Sequence, residues 1–167
     1  NTQNGIELGN SLYTSGIAGL SIVGNSVGTL GADGKADKGN KASGIKLNAG
    51  EYKGTYTSTK IQSNSIAFNA GDGIYLAAAG DKITNLTIGG DKATQGNSIY
   101  SNKSDGIQAD QGKADTANYS GTVIQGNDVS TNKSSGIFLN SDGGTIGSLL
   151  IGGDASKYGN AIHENDN

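Results

Sequence analysis

An eleven-residue pattern, Asn-x-Ile-x-x-Asn-x-x-x-Gly-Ile, recurs along the chain and restricts its fold more than any other feature. One full copy runs from Asn97 to Ile107, and further copies open at Asn64, Asn127 and Asn160. Self-similarity at a spacing of about 30 residues is typical of solenoids, in which each repeat packs only against its neighbours. The pattern therefore predicts a stack of similar coils.

We expect two or three short strands with a two-residue alternation in each repeat. Ile74 and Leu76 flank Tyr75, and Gly and Asn bound each run, as turns with positive φ require. Stacking the copies predicts three inward ladders: Ile66, Ile99, Val129 and Ile162; Ile45, Ile74, Ile107 and Ile137; and Leu47, Leu76, Ala109 and Leu139. It also predicts a ladder of side-chain amides at one turn, formed by Asn64, Asn97, Asn127 and Asn160.

Composition is compatible with such a stack. Leu, Ile, Val and Phe make up about 19 % of the chain, which suits a thin core. No apolar run is long enough to predict a membrane span. A net charge of −3 with scattered lysines argues against nucleic acid as a partner.

The chain has no Cys, which suits a bacterial exported protein. It also lacks Met, and it begins and ends within repeats. We therefore expect residues 1–167 to be a single domain that is a segment of a longer repeat protein.

The segments 23–33 and 88–91, and the Gly-Asn-Ser-Ile string that begins at Gly96, resemble those of right-handed parallel β-helix proteins. These belong to the pectate-lyase-like superfamily, and this version of the repeat is common in bacterial surface and secreted proteins. The resemblance implies an all-β, right-handed parallel β-helix of about five to six coils, in an extracellular or cell-surface location. It is specific for fold and not for activity, because enzymes, adhesins and structural fibres share it.

The resemblance also brings in polysaccharide-active enzymes, most of which need Arg, or Lys with Asp-bound calcium. The chain has no Arg, so a lyase with a Lys base remains as one alternative. A hydrolase is another, because Asp72 and Asp105 occupy equivalent positions on adjacent coils and paired carboxylates cleave glycosidic bonds. The competing interpretation is that each carboxylate caps its own turn. His163, the only histidine, lies at an outward position in the last copy.

Two further sets of residues are candidates for binding. Calcium prefers carboxylate and carbonyl oxygens, and the recurrent turn aspartates that could supply them are Asp91, Asp105, Asp110 and Asp154. An outward stripe for glycan or partner contact is predicted at Lys46, Tyr75, Gln108 and Phe138. Solvated turn carboxylates and ordinary cross-strand pairs are the respective alternatives.

The sequence thus favours a structural or adhesive role over an enzyme. We expect a rigid rod that stacks end to end or with flanking repeats, because open sheet edges pair with further strands. The alternatives are a polysaccharide-active enzyme, either a calcium-dependent lyase or a glycoside hydrolase, and a glycan-binding module without catalysis.

Overall fold

A computed structural model describes residues 1–9, 16–28, 39–49, 55–78, 82–110, 119–141, 146–153 and 158–167. The described residues form short strands and turns, without a helix. Accordingly, this part of the chain offers no helical segment with the length and apolarity needed to cross a bilayer.

The strands form four parallel sheets, which we call A to D. Sheet A contains β1 (Ile6–Gly9), β5 (Ile45–Asn48), β9 (Ile74–Ala77), β13 (Ile107–Asp110) and β16 (Ile137–Asn140). Sheet B contains β2 (Ile17–Ala18), β6 (Thr55–Thr57) and β10 (Lys82–Thr84). Sheet C contains β3 (Ser21–Val23), β7 (Lys60–Gln62), β11 (Thr87–Gly89), β14 (Val123–Gln125) and β17 (Leu150–Ile151). Sheet D contains β4 (Ser26–Val27), β8 (Ser65–Ala67), β12 (Ser98–Tyr100), β15 (Asp128–Ser130) and β18 (Ala161–His163).

From β1 to β13 consecutive described strands visit the four sheets in turn, and from β13 onward they visit sheets A, C and D. Within each sheet, a strand pairs with its equivalent in the neighbouring coil. This arrangement confirms the predicted all-β parallel solenoid. A coil such as β5 to β8 has four strand segments, whereas the sequence pattern suggests two or three. The additional segments in sheet B were missed because they lie outside the Asn-Gly pattern, whereas the equally short strands of sheet D lie within it.

Inward side chains stack at equivalent positions, as the ladders predicted. Ile66 pairs with Ile99, and Ile99 with Val129, and all three are buried. In sheet A, Ile74 pairs with Ile107 beside Leu76 and Ala109. The core is therefore a set of apolar columns running parallel to the solenoid axis.

Single residues with positive φ turn the corners between strands. One coil uses Ser58, Ser63 and Phe68, and Thr131 occupies the position equivalent to Phe68 two coils later. The sequence predicts Gly or Asn at such positions, because other side chains strain the backbone by about 1–2 kcal/mol. Hydrogen bonds between coils hold these corners nonetheless: the N–H of Ser58 donates to Thr84 O at 3.1 Å.

The glycine of the repeat is required by close packing and not by its φ angle. A Cβ on Gly106 would lie 2.6 Å from Gly136 O and 2.9 Å from Asn132 Nδ2 in the next coil. Gly73 is equally enclosed, because its Cβ would lie 2.5 Å from Ile99 and 2.6 Å from Gly106 O. These glycines allow each coil to approach the Ile and Asn of the next coil.

Two buried tyrosines bind the backbone of sheet A: Tyr56, which lies in sheet B, and Tyr119, which follows β13 and lies outside the strands. The hydroxyl of Tyr56 donates to Leu8 O and Asn48 O at 2.8 and 3.1 Å. The hydroxyl of Tyr119 donates to Leu76 O and Asp110 O at 3.0 and 2.8 Å. Burial raises the pKa of both phenols, so they remain neutral donors.

Candidate functional site

The predicted contact stripe lies along the outer face of sheet A, and we call it the outer row. Strand register places Lys46 beside Tyr75, Tyr75 beside Gln108, and Gln108 beside Phe138. The row begins with Glu7, which pairs with Lys46 and was not part of the predicted stripe. The strands of sheet A pair in register, and alternate side chains of each strand point outward. Equivalent outward residues therefore lie in a line across the sheet.

Charges and rings contact one another along the outer row. Lys46 Nζ lies 5.5 Å from the centroid of the Tyr75 ring and 3.8 Å from Glu7 Oε1. The Tyr75 hydroxyl donates to Asp110 Oδ2 at 3.2 Å. Burial, aided by the nearby Asp110 carboxylate, raises the pKa of Tyr75 to about 12. The phenol is thus a neutral group held in a fixed orientation at physiological pH.

Asp110 belongs to a second outward position of the same sheet. It pairs with Ala77 on one side and Asn140 on the other. Asn140 Nδ2 donates to Asp110 Oδ1 at 3.3 Å. At the far end of the outer row, Phe138 is 41 % exposed. The face therefore combines an accessible aromatic ring with amide, ammonium and carboxylate groups.

The predicted asparagine residues lie in a continuous ladder, which we call ladder 1. Asn97 is typical: its Oδ1 accepts from the backbone N–H and Nδ2 of Asn64, at 3.0 and 2.9 Å. Its Nδ2 donates to Asn127 Oδ1 and to Ile61 O, both at 2.8 Å. The same arrangement continues to Asn160, and Asn25 adds a rung at the other end. Each buried amide thus binds both the coil before it and the coil after it.

A second asparagine ladder, ladder 2, was missed at the sequence level. Asn102 accepts from Asn69 Nδ2 at 2.8 Å and donates to Asn132 Oδ1 at 2.9 Å. The whole series consists of Asn1, Asn40, Asn69, Asn102, Asn132 and Asn165. The signal was present, because the repeat pattern includes this asparagine five positions after the first.

Asp72 and Asp105, considered above as a catalytic pair, form part of a third series of bonds between coils. Asp72 Oδ1 accepts from the backbone N–H of Asp105 at 3.1 Å, and Asp105 Oδ1 accepts from that of Ser135 at 2.8 Å. Ser43 Oγ also donates to Asp72 Oδ2, at 3.4 Å. Both carboxylates are buried. Burial raises the pKa of Asp72, although hydrogen bonds from Ser104 and Asp105 oppose the shift.

The aspartates predicted to bind calcium do not come together where they are described. Asp91 is exposed, Asp105 is buried in the bonds just given, and Asp110 contacts Tyr75 and Asn140. Asp154 lies outside the described residues. Within the described ranges, no three His, Cys, Asp or Glu side chains form a cluster suited to a metal ion.

The remaining candidates for acid–base chemistry lie on the surface. His163 Nε2 is 3.2 Å from Asp128 Oδ1, and both side chains are more than half exposed. Lys133 Nζ forms an ion pair with Asp166 at 3.1 Å. Exposed pairs of this kind contribute little to stability and do not by themselves indicate catalysis.

Comparison with known proteins gives no relative: no protein-family model, curated protein or solved structure matches the chain. The geometry of the solenoid and of its surfaces is therefore the basis for proposing a function.

Replacing Asp72 by Asn is expected to change the pH dependence of stability. Asn keeps the acceptor for the Asp105 N–H, just as Asn4 Oδ1 accepts from the Ser43 N–H at 2.8 Å two coils earlier. Folding raises the pKa of Asp72, so the protonated carboxyl favours the folded state. Its contribution to the free energy of unfolding is complete at acidic pH and is lost as pH rises through the folded pKa. We expect the free energy of unfolding of Asp72→Asn, relative to wild type, to increase from pH 3 to pH 7.

Urea denaturation across this pH range measures the difference. Asp91→Asn removes an equal charge at an exposed position and is the matched control. If the free energy of unfolding of Asp72→Asn relative to wild type does not change with pH, or falls as pH rises, the pKa of Asp72 is not raised on folding.

Proposed function

We propose that the chain is a rigid rod segment of an extracellular bacterial surface or fibre protein, with a structural or adhesive role. We place it with the right-handed parallel β-helix proteins of the pectate-lyase-like superfamily. The observation that carries the proposal is continuity: in-register sheets and amide ladders connect every described coil to the next. A protein built this way keeps two points on its surface at a fixed separation.

Stiffness along the axis follows from the way neighbouring coils are bonded. Between the coils of Asn97 and Asn127, backbone strand pairing in sheets C and D is supplemented by the ladder amide. Each net hydrogen bond contributes only about 0.5–1.5 kcal/mol, but many must break together before the coils separate. The buried Ile columns resist the same separation, because it would expose apolar surface to water.

The extracellular location is supported by the sequence and by the resemblance. A chain without Cys tolerates an oxidising environment without forming disulfides. The resemblance is to repeats that are common in surface and secreted bacterial proteins. Solvent-facing amides, hydroxyls and mixed charges suit a surface that contacts glycans or neighbouring chains.

A rod makes a sharp prediction for the distance between its ends. Ser26 and Ala161 are exposed, equivalent positions in sheet D, separated by four strand spacings. At about 4.8 Å per spacing their Cα atoms lie roughly 19 Å apart. A chain that carries both Ser26→Cys and Ala161→Cys is spin-labelled and diluted into unlabelled chain. Pulsed electron paramagnetic resonance should give one narrow distance distribution.

The same labelled chain in urea is the control, and its distribution should be broad. A broad or multimodal distribution under native conditions would mean that the coils move relative to one another, and the rod function would then be wrong.

The outer row favours a second candidate function, namely glycan binding without catalysis. Its rings and polar groups lie side by side on a stiff sheet. These side chains therefore lose little conformational entropy when a polysaccharide binds. Tyr75 is oriented by Asp110, and Phe138 offers an accessible face. Such a row suits an extended polysaccharide lying along the solenoid axis.

Loss of both rings is expected to abolish that binding. Glycans that bind wild type on an array should bind Tyr75→Ala/Phe138→Ala at least tenfold more weakly. Tyr100→Ala is the matched control, because this ring lies on sheet D and packs edge-to-face on Phe68 with centroids 5.6 Å apart. Binding that persists in the double variant, or that is lost equally in Tyr100→Ala, would contradict a site on the outer row.

A further inference from the structure

We infer that the glycan bound by the outer row carries protonated amino groups, so that the ligand is a polymer of amino sugars and not an acidic polysaccharide. This inference rests on the second proposed function, glycan binding, and adds the charge of the ligand to it. The site lies on β5, β9 and β13, and each of these strands is paired with a strand on both sides.

Two outward positions of each strand make up the surface of the site. The second position lies two residues after the first, and the six side chains are Lys46, Tyr75 and Gln108 in the outer row and Asn48, Ala77 and Asp110 beside it. All six are partly exposed. A ligand that lies along the solenoid axis can therefore contact three successive strands, with the Tyr75 ring at the centre.

Negative charge prevails on the outer face of sheet A. The outward positions of its described strands carry three charged side chains, Glu7, Lys46 and Asp110, which give a net charge of −1 − 1 + 1 = −1. Burial is the main cause of the raised pKa of Tyr75, and the carboxylates of Asp110 and Asp72 add to it. The ring therefore lies in a negative field, which attracts cationic ligands and repels anionic ones.

The ring of Tyr75 already contacts an ammonium group of the chain itself. Lys46 Nζ lies 5.5 Å from the ring centroid, which is within the range of cation–π attraction. An ammonium group of a sugar next to the ring gains the same attraction, and it can also form a charge-assisted hydrogen bond with the Asp110 carboxylate. A sugar carboxylate at this place would gain neither interaction.

The carboxylate of Asp110 is oriented before any ligand arrives. The Tyr75 hydroxyl donates to its Oδ2 at 3.2 Å, and Asn140 Nδ2 donates to its Oδ1 at 3.3 Å. A carboxylate offers about four acceptor positions on its two oxygens, so one oxygen can accept more than one hydrogen bond. Because the group is already ordered, little entropy is lost when an ammonium group binds to it.

Gln108 favours a sugar over a basic peptide as the carrier of the ammonium groups. Its side-chain amide lies beside the Tyr75 ring and can both donate and accept hydrogen bonds. A sugar hydroxyl also donates and accepts, whereas the charged groups of Lys and Arg only donate. A polymer of amino sugars therefore matches the amide, the ring and the carboxylate together.

Two oligomers that differ in charge and share one backbone test the inference by titration calorimetry. Glucosamine oligomers carry ammonium groups at mildly acidic pH, and acetylation removes this charge in N-acetylglucosamine oligomers of the same length. We expect the wild-type chain to bind the glucosamine oligomer about tenfold more tightly, because hydrogen bonds between charged groups are stronger than those between neutral groups. Added salt should weaken this preference.

Asp110→Asn removes the negative charge and keeps an acceptor for the Tyr75 hydroxyl. Asn is accommodated at this position of the strand, because Asn48 and Asn140 occupy it in other coils. We expect the preference for glucosamine to fall from about tenfold to about twofold or less. Asp91→Asn is the matched control, because it removes an equal charge at an exposed position outside sheet A. Its preference should equal that of the wild type.

Equal or tighter binding of the acetylated oligomer, or of a galacturonic acid oligomer, would overturn the inference. Glycan binding would remain in place if that binding is lost in Tyr75→Ala/Phe138→Ala. Lysine oligomers that bind as tightly as glucosamine oligomers would also overturn the inference, because recognition would then depend on charge alone. If no glycan binds the wild type, glycan binding and the inference are both wrong, and the distance between spin labels still tests the rod function separately.

Discussion

The amide-to-amide hydrogen bond between coils is the interaction on which the rest of this structure depends. A buried Asn must satisfy two donors and an acceptor, and here the equivalent Asn residues of the neighbouring coils and one nearby carbonyl do so. Successive partners in ladder 1 are 39, 33, 30 and 33 residues apart, so loop length varies while the corner stays fixed. Ladder 1 thus fixes the register at the corner before sheet D, and ladder 2 fixes it again after sheet D.

The sequence predicts those parts of the fold that every coil must repeat. Asn97, Gly106 and Ile107 recur because a side chain of another size or polarity would break the stacking at their positions. Sheet B could not be predicted, since Tyr56 is recognisable as a core residue only once its hydroxyl is seen to reach Leu8 O. The corner at Phe68 was also unpredictable, because it depends on Asn102 of the next coil, which bonds to Ile66 and Asn69 on either side of a residue whose local sequence disfavours positive φ.

The outer row is a consequence of this register. Fixed strand pairing lines up Lys46, Tyr75, Gln108 and Phe138 without any sequence motif in common.

The most direct test of the account is the free energy of unfolding of Asn97→Ala, measured by denaturant titration beside Asn140→Ala. Among the described residues, the side chain of Asn97 makes four hydrogen bonds between coils, whereas that of Asn140 makes one, at 3.3 Å, on the outer face. Truncating a buried polar side chain leaves its hydrogen-bond partners unsatisfied, and each buried unsatisfied group lowers the free energy of unfolding by about 1–3 kcal/mol. We expect Asn97→Ala to lose at least ~3 kcal/mol and Asn140→Ala less than ~1 kcal/mol. Equal, small losses would show that the ladders do not hold the coils in register, and would contradict the account.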